Sequence, residues 1–313
     1  MRNRLSRMAG FGLVLVFLLG LVAACAAPAE EAEFSLVEIT DQLGRTVKLE
    51  GIPERIISLA PSNTEILFAL GLGDRVVAVT DYCDYPPEAK TKPSIGSYST
   101  PNIEEIVALS PDLILATSIH EGEIIPKLEK AGLTVLALDS LTIDEVLAAI
   151  TMVGKVTGKG EEASRLTAEM RDRIKAVTDK TRNLAESERP RVFYSVWHDP
   201  LMSAGAGTFQ ADLIQKAGGA NIAGELTGWE TISLEIVITA NPEVMIVGAM
   251  TDADADANFL FITNEPRLEN TDARRNSLVY AVDANVTSRP GPRIVDALEW
   301  FAVLIHPELF QEK

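Results

Sequence analysis

The chain has 313 residues, 47% of them hydrophobic, with 45 acidic side chains against 28 lysines and arginines and a formal net charge of −17. Such a length can fill two medium domains, while the acidic excess excludes nucleic acid as a partner, because phosphate binding needs clustered Lys and Arg. Only two cysteines are present, too few for a cysteine-based metal cluster.

Arg2, Arg4 and Arg7 precede an apolar stretch over 8–24, which is short for a membrane span and the right size for the core of a signal peptide. It ends in Leu21-Val22-Ala23-Ala24-Cys25, which resembles the bacterial lipobox, in which small residues precede a cysteine that is lipidated and becomes the first residue. Residues 1–24 are therefore expected to be a lipoprotein signal peptide and Cys25 the lipidation site; a plain secretory signal cut near Ala24 or Ala27 is the alternative. Residues 25–35, rich in Ala and Glu, read as a flexible tether. The expected product is exported and lipid-anchored, facing the periplasm or the cell exterior, and folded in water. With Cys25 lipidated, Cys83 is the one thiol left and no intramolecular disulfide can form.

Residues 36–50 alternate about Asp41–Gly44 like a β-hairpin. A strand over 55–59 leads to Pro61-Ser62-Asn63-Thr64-Glu65, where Ser62 and Glu65 stand at capping-box spacing and predict a helix to Leu70, closed by Gly71-Leu72-Gly73. A strand over 76–79 follows, then Thr80-Asp81-Tyr82-Cys83-Asp84-Tyr85-Pro86-Pro87, a stiff aromatic loop. Thr142 and Glu145 make a second capping box, opening a helix to about Thr157. A second helix over 161–185 carries Ala163, Leu166, Met170, Ile174 and Val177 on one face. A strand over 191–196 precedes the loop Trp197-His198-Asp199-Pro200, and a helix over 210–217 stops at Gly218-Gly219. Alternate acids over 252–258 only partly match a calcium loop: Ala257 and Thr263 stand where its glycine and bidentate acid belong, so a solvated acidic loop is expected. A strand over 278–282, a loop over 289–293 and a closing helix over 294–305 complete the chain.

One pattern occurs twice. In 101–117 and again in 232–248, a polar residue suited to capping (Asn102, Ser233) opens a short apolar helix. A proline (Pro111, Pro242) then ends it and a buried-type strand follows. Glu104 and Glu235 fall at equivalent positions, and Tyr98 and Trp229 each lie six residues upstream of them, in what reads as the loop entering each helix. The pattern predicts an α/β fold of two similar lobes, with the two aromatics flanking one cleft. The expected divisions are 36–141 for the N-terminal lobe, 142–187 for connecting helices and 188–313 for the C-terminal lobe.

Ser58-Leu59-Ala60-Pro61-Ser62-Asn63-Thr64-Glu65, the Gly71-Leu72-Gly73-Asp74 turn, Asp84-Tyr85-Pro86-Pro87 and the Glu104 repeat resemble, in order, the substrate-binding proteins of cobalamin and iron-chelate ABC importers, most of all the vitamin B12-binding members. The resemblance covers nearly the whole mature chain. It implies two lobes joined by one long rigid helix, a ligand cleft between them, and delivery of a captured metal chelate to an ABC permease dimer with its ATPase subunits. It implies ligand contacts at Tyr82, Tyr98 and Trp229 and polar contacts near Asn285 and Arg289. Trp197 lies one position from another such contact, and Thr117 stands where an aromatic is expected. Glu104 and Glu235 match exposed knobs that pair with permease arginines; a purely helix-capping role is the alternative. Cobalamin or a related corrinoid is the expected ligand, with a ferric siderophore or haem as the alternative. His120 and His198 are candidates for metal ligation or for plain packing. No Gly-x-Ser-x-Gly elbow, P-loop, dinucleotide fingerprint or His-Glu-x-x-His occurs, so neither an enzyme nor a resident cofactor is expected.

Overall fold

The computed structural model describes residues 36–250 and 256–310. The signal peptide, Cys25, the tether, Asp252 and Asp254 lie outside the described residues.

Strands β1 (Val37–Thr40) and β2 (Thr46–Leu49) pair antiparallel across a turn in which Gly44 takes φ 76°, the left-handed region that glycine enters without strain. β3 (Ile56–Ser58) runs into α1 (Pro61–Ala69). Ser62 does not cap this helix as its spacing with Glu65 suggested. The helix starts earlier, on Ala60 with no side-chain cap, and Pro61 occupies the first turn, where its missing N–H loses no bond. Ser62 and Glu65 are both buried instead. The layer continues through β4 (Val76–Ala78), α2 (Ile103–Ala108), β5 (Leu113–Ala116), α3 (Ile124–Lys130) and β6 (Val135–Ala137). Among the described residues its sheet has the order β4-β3-β5-β6, with every pairing parallel. The Asn102 side chain accepts from the amides of Glu104 and Glu105 at 3.1 and 3.2 Å, so the predicted cap forms.

α4 (Ile143–Thr157) opens on the predicted capping box. Thr142 Oγ1 accepts from the Glu145 amide and Glu145 Oε2 accepts from the Thr142 amide. α5 (Gly160–Thr181) packs beside α4 and stops short of the expected residue 185, before a 3₁₀ turn at Glu186–Glu188. Ala163, Met170 and Val177 are its buried apolar positions, as the spacing indicated. The two helices touch closely at Gly154, where an added Cβ would lie 2.4 Å from that of Ala163 and 2.9 Å from the Lys159 carbonyl oxygen. Gly154→Ala therefore forces α4 and α5 apart. The expected loss is about 1–3 kcal/mol, read as a lowered urea midpoint at unchanged slope.

The second layer contains β7 (Arg191–His198), β8 (Leu201–Ala204), α6 (Phe209–Lys216), β9 (Ala220–Asn221), β10 (Trp229–Thr231), α7 (Leu234–Ala240), β11 (Val244–Ala249) and α8 (Ala257–Asn264). It finishes with α9 (Asp272–Arg275), β12 (Val279–Asp283), α10 (Ala284–Thr287), α11 (Ile294–Ile305) and α12 (Pro307–Phe310). β7, β11 and β12 pair in parallel, and β8 and β10 extend the sheet antiparallel beyond β7. Two expected loops are thus strand. Trp197 and His198 end β7, and Trp229 begins β10. Ser233 caps α7 through the Ile236 amide, and Asp256 caps α8 through the amides of Asn258 and Phe259. The protein is a two-lobed α/β molecule with the long helix α5. Its largest buried apolar cluster is continuous from Ile56 and Leu67, through Ile150 of α4 and Val177 of α5, to Tyr194 and Phe301.

Candidate functional site

A cavity of about 690 Å³ lies between the two layers, within the ~300–1,000 Å³ span of small-molecule sites. Tyr82, Tyr98, Trp229, Asn285 and Arg289 all line it. Trp197 does not: it is 46% exposed and its indole N–H donates to the Asp199 carbonyl, which turns the ring to the surface hairpin. Trp197 lies in β7, which runs on to His198.

Tyr98 and Trp229 are held firmly. The Tyr98 hydroxyl lies 3.1 Å from Thr117 Oγ1, and its ring meets His120 edge-on at a centroid distance of 5.4 Å. The threonine that stands where an aromatic was expected thus anchors one. Trp229 Nε1 donates to Gln210 Oε1 at 3.0 Å, and its ring packs on Phe209 at 5.6 Å. Gln210 is buried and lines the cavity; nothing in its helix-start context distinguished it in the sequence. Tyr82, 57% exposed, stands at the opening.

His120 is fully buried. Its Nδ1 accepts from the Thr117 amide at 3.1 Å, and its Nε2 lies 2.7 Å from the Tyr98 carbonyl, so the proton sits on Nε2. Burial pushes this imidazole below its ordinary range, only partly offset by the two backbone contacts, which keeps it neutral. Both nitrogens are spent on the Tyr98 and Thr117 backbone, so His120 supports these two lining residues from behind and does not itself line the cavity. His198 packs between Trp197 and Phe261 and is not a lining residue. Cys83 is buried, with its sulfur beside the Thr64 and Thr80 hydroxyls, and burial pushes the thiol up and away from reactivity. Among the described residues, no three His, Cys, Asp or Glu side chains gather to hold a metal ion.

The polar side of the cavity is organised by arginines that cross between the layers. Arg289 donates to Asp84 and, at 2.6 Å, to Asn285 Oδ1. Partial burial pushes the Asp84 carboxyl up, but the bond and charge of Arg289 outweigh it and hold it below the usual carboxylate range. Behind this pair, Arg293 grips Glu65 with two bonds of 3.0 and 2.6 Å and lies over the Tyr85 ring at 3.9 Å. Burial pushes the Glu65 carboxyl up further than Arg293 pulls it back. Tyr85 therefore packs under an arginine at a second, neighbouring cavity and leaves the first to Tyr82. The only charged side chains on the described wall are Arg289 and Asp139, and Asp139 accepts a bond from the Ser118 hydroxyl. Aromatic faces, aliphatic side chains, hydroxyls and amides otherwise surround the space. That set can hold a large, partly polar molecule by stacking and hydrogen bonds.

Glu104 and Glu235 are each the second residue of their helices, α2 and α7, and both are exposed. Among the described residues neither is in an ion pair.

Residues 56–286 match the family described as periplasmic binding protein. An uncharacterized ABC transporter substrate-binding lipoprotein of Bacillus subtilis is 31% identical, over 98% of this chain and 100% of its own. A cobalamin-binding protein of Halobacterium salinarum is 34% identical over 90% of this chain and 75% of its own. Among solved structures, the periplasmic vitamin B12-binding protein of Vibrio cholerae superposes with a TM-score of 0.70 at 29% identity, covering 84% of this chain and 99% of that one. A periplasmic heme-binding protein from Roseiflexus sp. RS-1 reaches 0.71 at 29% identity, covering 81% and 98%.

Proposed function

Because the chain belongs to the periplasmic binding protein family, we propose that it is the lipid-anchored substrate-binding component of an ABC importer, capturing cobalamin or a related corrinoid outside the cytoplasm. The observation that carries the ligand is the cavity wall. Tyr98 and Trp229 present aromatic faces fixed by Thr117 and Gln210, and the one cation on the described wall is already neutralised by Asp84. A corrinoid offers a broad face for stacking and a rim of amides for the serines, Asn285 and Gln210. A carboxylate-bearing chelate needs free arginines, and none stands on the described wall. The cobalamin- and vitamin B12-binding relatives support the same choice. Lipid anchoring rests on the Cys25 motif and on the lipoprotein relative. Among the described residues, no helix is long and apolar enough to cross a membrane.

Titrating the chain from Ala26 onward with cyanocobalamin, cobinamide and a ferric siderophore by calorimetry, with tryptophan fluorescence alongside, tests the reading. Tight one-to-one corrinoid binding is expected, and Trp229→Ala weakens it by about tenfold or more, the worth of a stacked aromatic together with its buried area. Tight siderophore binding without corrinoid binding moves the function to iron uptake. The heme-binding neighbour makes hemin the natural fourth titrant.

A further inference from the structure

Arg289 is the point where the cavity meets the network of charges between the layers. Its side chain is 12% exposed and lines the cavity, while its partner Asp84 does not line it. Glu65 and Arg293 pair behind them, so two acids and two bases balance across the group. A ligand therefore meets an arginine whose charge is already matched, and elsewhere on the described wall Asp139, which is in no ion pair among the described residues.

We propose that Asp84 is a specificity-determining residue: by neutralising Arg289 from outside the wall, it makes the cavity select net-neutral chelates over counterparts that carry an additional carboxylate. This rests on the ligand-cavity reading above. A carboxylate seeking Arg289 has to displace Asp84 or lie beside it, and two like charges at one guanidinium repel, a repulsion that salt can screen because the Asp84 side chain is 40% exposed. A neutral amide or hydroxyl can instead share the remaining N–H directions of Arg289 and the free amide nitrogen of Asn285, whose oxygen Arg289 already holds. Selection thus works by repulsion as much as by attraction. Asp84→Asn keeps the shape and an oxygen to accept from Arg289, and withdraws only the charge.

The test uses the purified full-length chain and two pairs of probes that differ in charge. One pair is cyanocobalamin and its monocarboxylates, each with one peripheral amide hydrolysed; the other is hemin dimethyl ester and hemin. The wild type is expected to bind the neutral member about tenfold or more tighter than its acid partner. Asp84→Asn narrows that ratio by roughly tenfold, and added salt reverses the narrowing. Asp84→Asn with Arg289→Gln, again balanced in charge, returns the wild-type preference. Equal binding of both members by the wild type overturns the proposal, and that comparison stands even if Asp84→Asn does not fold. A folded Asp84→Asn with an unchanged ratio, or a double variant that favours the acid, also overturns it. If only the heme pair binds, the corrinoid reading fails while the charge ratio is still measured. If neither pair binds, the cavity reading and this inference fall together.

Discussion

Alanine at both Glu104 and Glu235 is expected to abolish uptake of the ligand by cells while leaving the affinity of the purified protein unchanged. The two carboxylates stand at the same place on two related helices, one in each lobe, with their side chains in solvent and no ion pair among the described residues. Their favourable interaction with the positive helix ends contributes only about 0.3–1 kcal/mol each, too little to unfold the protein. Neither lines the cavity. The role we propose for them is docking to a partner. Two equivalent acids on a molecule with two like lobes suit a permease of two like subunits, each offering a basic group. Uptake by single variants should fall between wild type and the pair. Normal uptake by the double variant would show that docking uses other residues.

Glu65→Ala is expected to be strongly destabilising. Its carboxylate is 2% exposed and takes both bonds of the Arg293 fork. Removing it strands an arginine whose side chain is 17% exposed, and breaking a buried pair from one side costs about 3–5 kcal/mol. Glu65→Gln should cost less, because burial already raises the carboxyl above its ordinary value and a neutral side chain of the same shape is tolerated there. Chemical denaturation of the two variants separates these costs; equal losses would show that charge alone matters. Acidity acts on the two acids of this network in opposite senses. The raised Glu65 favours the native state below the ordinary glutamate range, and that advantage is lost as pH rises through its native value. The depressed Asp84 contributes above the ordinary aspartate range, and its contribution is lost as pH falls through its native value.

Much of this was legible from local grammar. The caps at Asn102, Thr142 and Ser233, the prolines after the repeat helices, and the helix over 294–305 all form where the residues imply. These are short-range signals, written within a few residues of the structure they specify. The Ser62–Glu65 spacing misled because a proline at the first turn sets a helix start without any side-chain cap. Strands β8 and β10 escaped notice because they are short, and the residues of β10 are all exposed, so no alternation marks it. The aromatics Tyr82, Tyr98 and Trp229 could be named from a family resemblance, and they meet at one cavity. Trp197, one position from a family contact, faces the surface hairpin instead. The pairing of Arg289 with Asp84 and of Arg293 with Glu65 spans 205 and 228 positions. No pattern along a single chain carries such a distance, and there the charge of the cavity is decided.

The buried cluster that runs unbroken from one sheet to the other has a consequence for traffic at the membrane. A carrier whose halves share one interior is expected to keep nearly the same outline whether laden or empty. On that expectation its partner cannot sort the two by silhouette, and empty carriers queue at the same gate as full ones. Throughput under such a scheme depends on the balance of carriers to gates as well as on affinity, and an excess of carriers over cargo slows the import it serves.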